Sequence, residues 1–218
     1  MLILRIEKCA VLLPGAFCML YLPAFIMRLV HTESGHIYIH DGMRPDSIID
    51  AIIETDYQEE ICVSLDWNPA FIAELMYAGF LVMSFKAEDT GHYILLPKHH
   101  LTRTVIFFDE LHIGRTIKRL LPRYELRAGY DINIIIQKCI DVHGDDWLTP
   151  PLVECIKIID KARCSPARPF AFGIFCNGKL AGGEFGIIAG NVYTSYSGYY
   201  EENSAGRAQM ILTAQYLR

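Results

Sequence analysis

The sequence predicts an α+β protein, and three observations carry that reading. Apolar residues recur at helical spacing in five stretches between residues 44 and 160, and short β-rich runs lie between the second and third of them. After residue 168 the period becomes that of strands. There Asn177-Gly178, the strongest short turn signal, splits the alternating run into a hairpin. With 218 residues, 52% apolar and 21% charged, the chain has ample core material for one large domain or two small ones. No period repeats and no segment is of low complexity. A net charge of −5 excludes a surface coated in positive charge, so any nucleic-acid contact must be a local patch.

The first forty residues are the least legible. CAVLLPGAFCMLYLPAFI (9–26) carries no charge and follows Arg5 and Lys8, as a signal peptide or membrane anchor would. Pro14, Gly15 and Pro23 interrupt it, Glu7 precedes it, and no small-residue cleavage site follows. A buried segment, or a start codon placed too far upstream, is therefore favoured over a membrane span. The seven cysteines are widely spaced with no C-x-x-C pair, which points to reduced, mostly buried thiols in the cytosol. His36 and His40 share one face of HIYIH, beside His31 and Asp41, but no third metal ligand is placed by spacing. Exposed strand histidines are the expectation.

RPDSIIDAIIE (44–54) predicts a helix capped by Asp46 or Ser47. NPAFIAELMYAGF (68–80) predicts the clearest one, with Asn68 as cap, Pro69 at the first helical position and Gly79 at the end. LVMSF, HYILLP and TRTVIFF read as short strands. DINIIIQKCIDV (131–142) predicts a helix capped by Asp131, and TPPLVECIKIID (149–160) one capped by Thr149 with prolines in its first turn. HGDD (143–146) reads as a polar loop. PFAFGIFC, KLAGGEFGII and AGNVYTSYSGYY form a three-stranded meander whose glycines leave room for a close approach to the middle strand. SAGRAQMILTAQYLR then starts a helix, an arrangement that is not closed by itself.

One stretch breaks the acidic balance. In LHIGRTIKRLLPR (111–123), Arg115, Lys118, Arg119 and Arg123 fall within an arc of about 140° of a helix, opposite Ile113, Ile117, Leu120 and Leu121. A solvated face usually mixes both signs because like charges repel. This one is purely basic, so a polyanion site competes with an ordinary solvated face.

From Asp109 onward the order of elements resembles the leucyl/phenylalanyl-tRNA–protein transferase family. LHIGRTIKRLLPRYE is similar to its L-H-I-S-R-S-M-K-R-F block, DWLTPPLVECI to its W-I-T-x-x-V segment, and NGKLAGGEFGIIAGNVYTSYSGYYEENSAGRA to its G-G-x-Y-G meander and the turn that ends it. WNPAFIAELMYAGF resembles an upstream helix, so the similarity runs from about residue 62 to the end. It implies a small N-terminal α/β domain (1–108) and a GNAT-like acyltransferase domain (109–218) with a mostly antiparallel sheet, incomplete at the C-terminus. The implied activity moves Leu or Phe from its tRNA to proteins beginning with Lys or Arg in the N-end-rule pathway. The enzyme would be cytoplasmic and monomeric, with no cofactor, metal, DNA or membrane partner. The resemblance assigns Arg115, Lys118, Arg119 and Arg123 to the acceptor stem and Trp147 to the terminal adenosine. The donor pocket falls to Met83, Glu184, Tyr193, Tyr196 and Gly198.

The departures are specific. Met83 stands for a family tryptophan, Glu184 and Gly198 for two pocket methionines, and Tyr196 for a glutamate. PKHHLTR (97–103) replaces an S-P-D-P-R stretch. A carboxylate would not bind Leu or Phe as a thioether does, because burying a bare charge is expensive. The family's catalytic Asp and Gln (D-x-Q) are expected beyond residue 218. The expectation is that this polypeptide binds weakly or is inactive unless that segment is supplied.

Two other classes compete. NSAGRA (203–208) comes within one residue of the pyrophosphate loop of coenzyme A acyltransferases, making Asn203, Gly206 and Arg207 phosphate-loop candidates. That reading leaves the basic helix unexplained. A non-catalytic relative that binds tRNA or a protein N-terminus is the third.

Overall fold

A computed structural model describes residues 2–5 as backbone, together with residues 30–32, 34–162 and 164–218. The apolar stretch 9–26 lies outside the described residues. The elements are β1 (Leu2–Arg5), β2 (Val30–His31), β3 (Ile37–Tyr38), α1 (Pro45–Glu54), β4 (Cys62–Val63), α2 (Pro69–Tyr77), β5 (Leu81–Lys86), β6 (Tyr93–Lys98), β7 (Thr104–Ile106), α3 (Arg115–Leu120), β8 (Tyr124–Ala128), α4 (Ile132–His143), α5 (Pro150–Lys161), β9 (Ala167–Cys176), β10 (Lys179–Ala189), β11 (Val192–Tyr200) and α6 (Ala205–Leu217). The mixture is α+β, as expected.

The meander does not stand alone. It is the centre of a six-stranded sheet, ordered β7-β1-β11-β10-β9-β8. Every pairing is antiparallel except β1 with β7. The fold departs from the sequence expectation at two strands. YELRA, which resembles a continuation of the basic stretch, forms β8, and β1 reaches the sheet from the far end of the chain. Asn177 and Gly178, both at positive φ (51° and 76°), make the tight β9–β10 turn.

The sheet has two covered faces. On one, Ile135, Ile136 and Cys139 of α4 pack with Ala171, Phe185, Ile187 and Tyr199 in the main core, which also takes residues of α1, α2 and α5. A Cβ at Gly183 would stand 2.5 Å from Ile135 Cδ1 and 2.8 Å from the Phe172 carbonyl, so α4 settles on bare backbone. The glycine-rich middle strand thus serves packing. On the other face α6 buries Ala214 and Leu217 against Phe172 and Tyr193, and Ala205 and Ala208 against Ile174 and Ala181.

Among the smaller elements, α2 follows the sequence reading. Asn68 Oδ1 accepts the Ala70 N–H at 3.0 Å, Pro69 opens the helix, and Gly79 leaves it at φ +99°. The cap of α1 differs: Arg44 is the flanking residue and Asp46 and Ser47 lie inside, because Pro45 takes the first helical position. Thr149 flanks α5, yet its hydroxyl hydrogen-bonds Ser84 Oγ at 2.7 Å instead of capping. Cys62, Cys139, Cys155 and Cys176 are buried free thiols, and Cys164 is exposed. Burial pushes the Cys62 thiol up to about 12.

Candidate functional site

The basic stretch folds into one and a half turns of α3 followed by a 3-10 turn at Leu121–Arg123. Ile117 is buried, and Leu120 and Leu121 lean on the Ala205–Ala208 side of α6, while Arg115, Lys118, Arg119 and Arg123 are exposed. None of the four makes an ion pair among the described residues. The repulsion evident in the sequence is therefore relieved by no direct ion pair among the described residues.

The ridge ends beside the turn that starts α6, which carries Arg207. Tyr124, next after Arg123, donates its hydroxyl to the Asn203 carbonyl at 3.2 Å. Asn203 belongs to the turn before α6, where Ser204 sits at φ +72°. Tyr200, Asn203, Ser204, Gly206, Arg207 and Met210 line an open cleft of about 510 Å³ there. Ridge and helix start thus adjoin, a meeting of segments 79 residues apart that no local pattern foretells.

Trp147 is half-buried against the main core. Its carbonyl accepts the Ser84 N–H at 3.0 Å and the Ser84 hydroxyl at 3.1 Å. Met83 is Ser84's neighbour on β5, so the backbones of these two candidates run close together.

The remaining pocket candidates divide between the two faces of the sheet. Gly198 pairs directly with Glu184, and a Cβ at Gly198 would stand 3.2 Å from the Glu184 Cβ. Glu184 and Tyr193 face α6. Tyr196 faces the other way, because a bulge between Phe185 and Gly186 re-aims β11. Its hydroxyl donates to the Phe80 carbonyl at 3.3 Å and accepts from Val82 N at 3.4 Å.

Glu184 is 8% exposed and Tyr193 0%, between β10, β11 and α6. Ser195 donates to Glu184 Oε2 at 2.9 Å, and Gln209 and Thr213 complete a buried polar group. Burial raises the Glu184 carboxyl above the usual carboxylate range, and its hydrogen-bond partners only partly offset this. Sequence reasoning missed Ser195, Gln209 and Thr213. The signal was their spacing, two along a strand from Tyr193 and four along a helix.

A third grouping also escaped the sequence. His40, Asp41 and Asp66 bring ligand-type atoms within 4.8 Å of one another, because Asp66 follows β4 beside the end of β3. Asp41 N donates to Asp66 Oδ2 at 3.0 Å. His143, expected in the polar loop, is the last residue of α4, and its ring reaches the Gly198 carbonyl at 2.9 Å.

Comparison with known proteins bears on the ridge and the meander together. Residues 105–218 match the family described as leucyl/phenylalanyl-tRNA protein transferase. The chain belongs to this family. The matched region of the leucyl/phenylalanyl-tRNA protein transferase family runs from β7 through α6, so it encloses α3, Trp147 and the meander. A leucyl/phenylalanyl-tRNA–protein transferase of Campylobacter lari is 26% identical over 117 residues, covering 53% of this chain and 52% of its own. One from Pectobacterium carotovorum is 24% identical over 117 residues, covering 52% and 48%. One from Rubrobacter xylanophilus is 22% identical over 153 residues, covering 69% and 75%. The chain spans about half the length of the Campylobacter and Pectobacterium relatives.

Proposed function

We propose that this chain acts in aminoacyl transfer from tRNA to protein N-termini: Leu, Phe or a related residue passes from the 3′ ester of its tRNA to the α-amino group of a protein beginning with Lys or Arg. The product would enter N-end-rule degradation in the cytoplasm. The exposed, unpaired ridge of Arg115, Lys118, Arg119 and Arg123 carries this reading, in a region matched to the family. Cations without ion-pair partners among the described residues suit the sugar-phosphate backbone, which positions an RNA without reading its sequence. The adjoining α6 start extends that track through Arg207, and Trp147 offers a stacking surface for the terminal adenosine.

In this reading the acceptor's amine attacks the ester carbonyl, the amide bond forms, and the tRNA 3′-hydroxyl departs. An α-amino group titrating near pKa 8 is partly free at neutral pH, and the ester is already activated, so holding the two together supplies much of the rate. Helices on both faces of an antiparallel meander support a GNAT-like domain from residue 109, to whose sheet β1 and β7 of the proposed N-terminal domain (1–108) add two strands. The protein would work as a monomer without a cofactor.

The cleft at the α6 start also favours a second reading, an acyl-CoA N-acyltransferase holding pyrophosphate at Asn203, Gly206 and Arg207. A non-catalytic tRNA binder is the third. Thermal shifts with charged tRNA and with acetyl-CoA, followed by a transfer assay from Phe-tRNA to a Lys-started peptide, decide among them. Stabilisation by tRNA alone, with transfer once the family's D-x-Q segment is supplied, is the expected result. Stabilisation by acetyl-CoA alone overturns it, and tRNA binding without transfer even then identifies the binder.

A further inference from the structure

We infer that Tyr200 is a stacking platform for an unpaired nucleobase of the RNA, on a nucleotide other than the terminal adenosine, an inference that rests on the function proposed above.

Tyr200 is the most exposed large hydrophobic side chain among the described residues, at 66%. Its ring is nonetheless seated. A Cβ at Gly206 would stand 3.2 Å from Tyr200 Cδ1 and 3.7 Å from both Cε1 and Cγ, so part of the ring rests on the bare first turn of α6. The rest of it lines the open cleft of about 510 Å³. Tyr199 is buried in the main core, against which Trp147 also packs. Successive side chains of a strand point to opposite faces, so Tyr200 stands on the α6 face of β11 and Trp147 on the other side of the sheet. A base on Tyr200 is therefore not the base on Trp147.

The surroundings match a nucleotide. Arg207 lines the same cleft, is exposed, and makes no ion pair among the described residues. Asn203 spends its carbonyl on Tyr124 and leaves its side-chain amide without a hydrogen bond among those residues. Arg123, the last cation of the ridge, lies just across that bond. Two carboxylates flank the cleft without cancelling this charge: Glu201 is paired with Lys138 at 2.9 Å, and Glu202 acts on the Tyr124 hydroxyl together with Arg123. Cations that follow the backbone and an aromatic face that carries a base are the two parts of a single-strand site, and stacking serves any base because each has a flat π-face.

Titration of the full chain with an RNA hairpin that ends in the unpaired 3′ nucleotides of a tRNA tests this, using the intact RNA and versions with an abasic site at each unpaired position in turn. An abasic site at one position before the terminal adenosine is expected to weaken binding about tenfold. Tyr200→Ala is expected to weaken the intact RNA by the same factor and to erase the effect of that abasic site, while Tyr200→Phe and Tyr200→Trp keep both. The slope of affinity against salt should stay that of the unaltered chain, since a stacked base releases no counterion. Equal binding by Tyr200→Ala and the unaltered chain overturns the inference, as does a loss of the same size for every abasic RNA. Loss of acetyl-CoA binding in Tyr200→Ala with RNA affinity intact overturns it too and gives the cleft to the coenzyme. The abasic series on the unaltered chain needs no substitution to fold: indifference at every position before the adenosine is equally fatal. RNA bound without these effects sinks this inference alone, and RNA not bound at all sinks the proposed function with it.

Discussion

The Tyr124 hydroxyl donates to the Asn203 carbonyl at 3.2 Å, joining the first strand after the basic ridge to the turn that starts α6. Leu120 and Leu121 pack beneath the same junction with Ala205 and Ala208. One hydrogen bond and a small apolar cluster therefore hold two cationic features in register, Arg115 to Arg123 on one side and Arg207 on the other.

Tyr124→Phe deletes that hydrogen bond while keeping the ring. Loss of a hydrogen bond of this kind costs about 0.5–1.5 kcal/mol. Urea unfolding should register that loss, and tRNA affinity should fall several-fold because ridge and helix start are no longer held together. An unchanged stability and affinity would show that the junction is held by packing alone.

Gly183→Ala tests the seating of α4. The new methyl would meet Ile135 Cδ1 at 2.5 Å and the Phe172 carbonyl at 2.8 Å, and backbone yields less readily than a side chain. Overpacking of this kind costs about 1–3 kcal/mol, so the denaturation midpoint should fall. Gly178→Ala serves as a contrast, since a Cβ there meets nothing within 4 Å and only its positive φ (76°) resists the change.

Positions such as these mark how far local sequence signals reach. Asn68-Pro69 and Asn177-Gly178 are readable because the physics is local: a cap, a missing N–H and a turn each act within four residues. β8 is not, since Glu125 and Arg127 are an exposed, mutually paired couple on an edge strand and the five residues directly follow the basic run. The placement of β1 beside β11 is a pairing across nearly the whole chain, and no local pattern encodes it. At the site, helical periodicity reveals the ridge, but the bulge that turns Tyr196 away from Glu184 depends on register. The family resemblance groups the two as pocket residues, and the fold separates them.

Stability should depend on pH through the segment between β6 and β7. Burial lowers both His99 and His100 below the ordinary 6.5, with Arg103 adding to it at His99 and Lys98 at His100, while Glu60 opposes it at both. The unfolded chain then binds more protons than the native one just below pH 6.5, so stability is present above that value and declines as pH falls. Melting temperatures measured from pH 7.5 to 5.5 should drop, and the double variant His99→Gln/His100→Gln should flatten the profile. Glu184 has the opposite sign: its raised carboxyl is destabilising above the unfolded value of 4.5, so Glu184→Gln should raise the melting temperature at pH 7.5.

The central claim is that the unpaired ridge on α3 and the turn after it grips RNA phosphates. The most direct measurement is tRNA affinity as a function of salt for the chain and for Arg115→Ala/Lys118→Ala/Arg119→Ala/Arg123→Ala. Each phosphate left without its cation should lower the steepness of log K against log salt by roughly 0.7–0.9. The account predicts that the slope of the quadruple variant is shallower by about three and its affinity at low salt at least tenfold weaker, with its melting temperature nearly unchanged. Identical affinity and slope in the two proteins would contradict it.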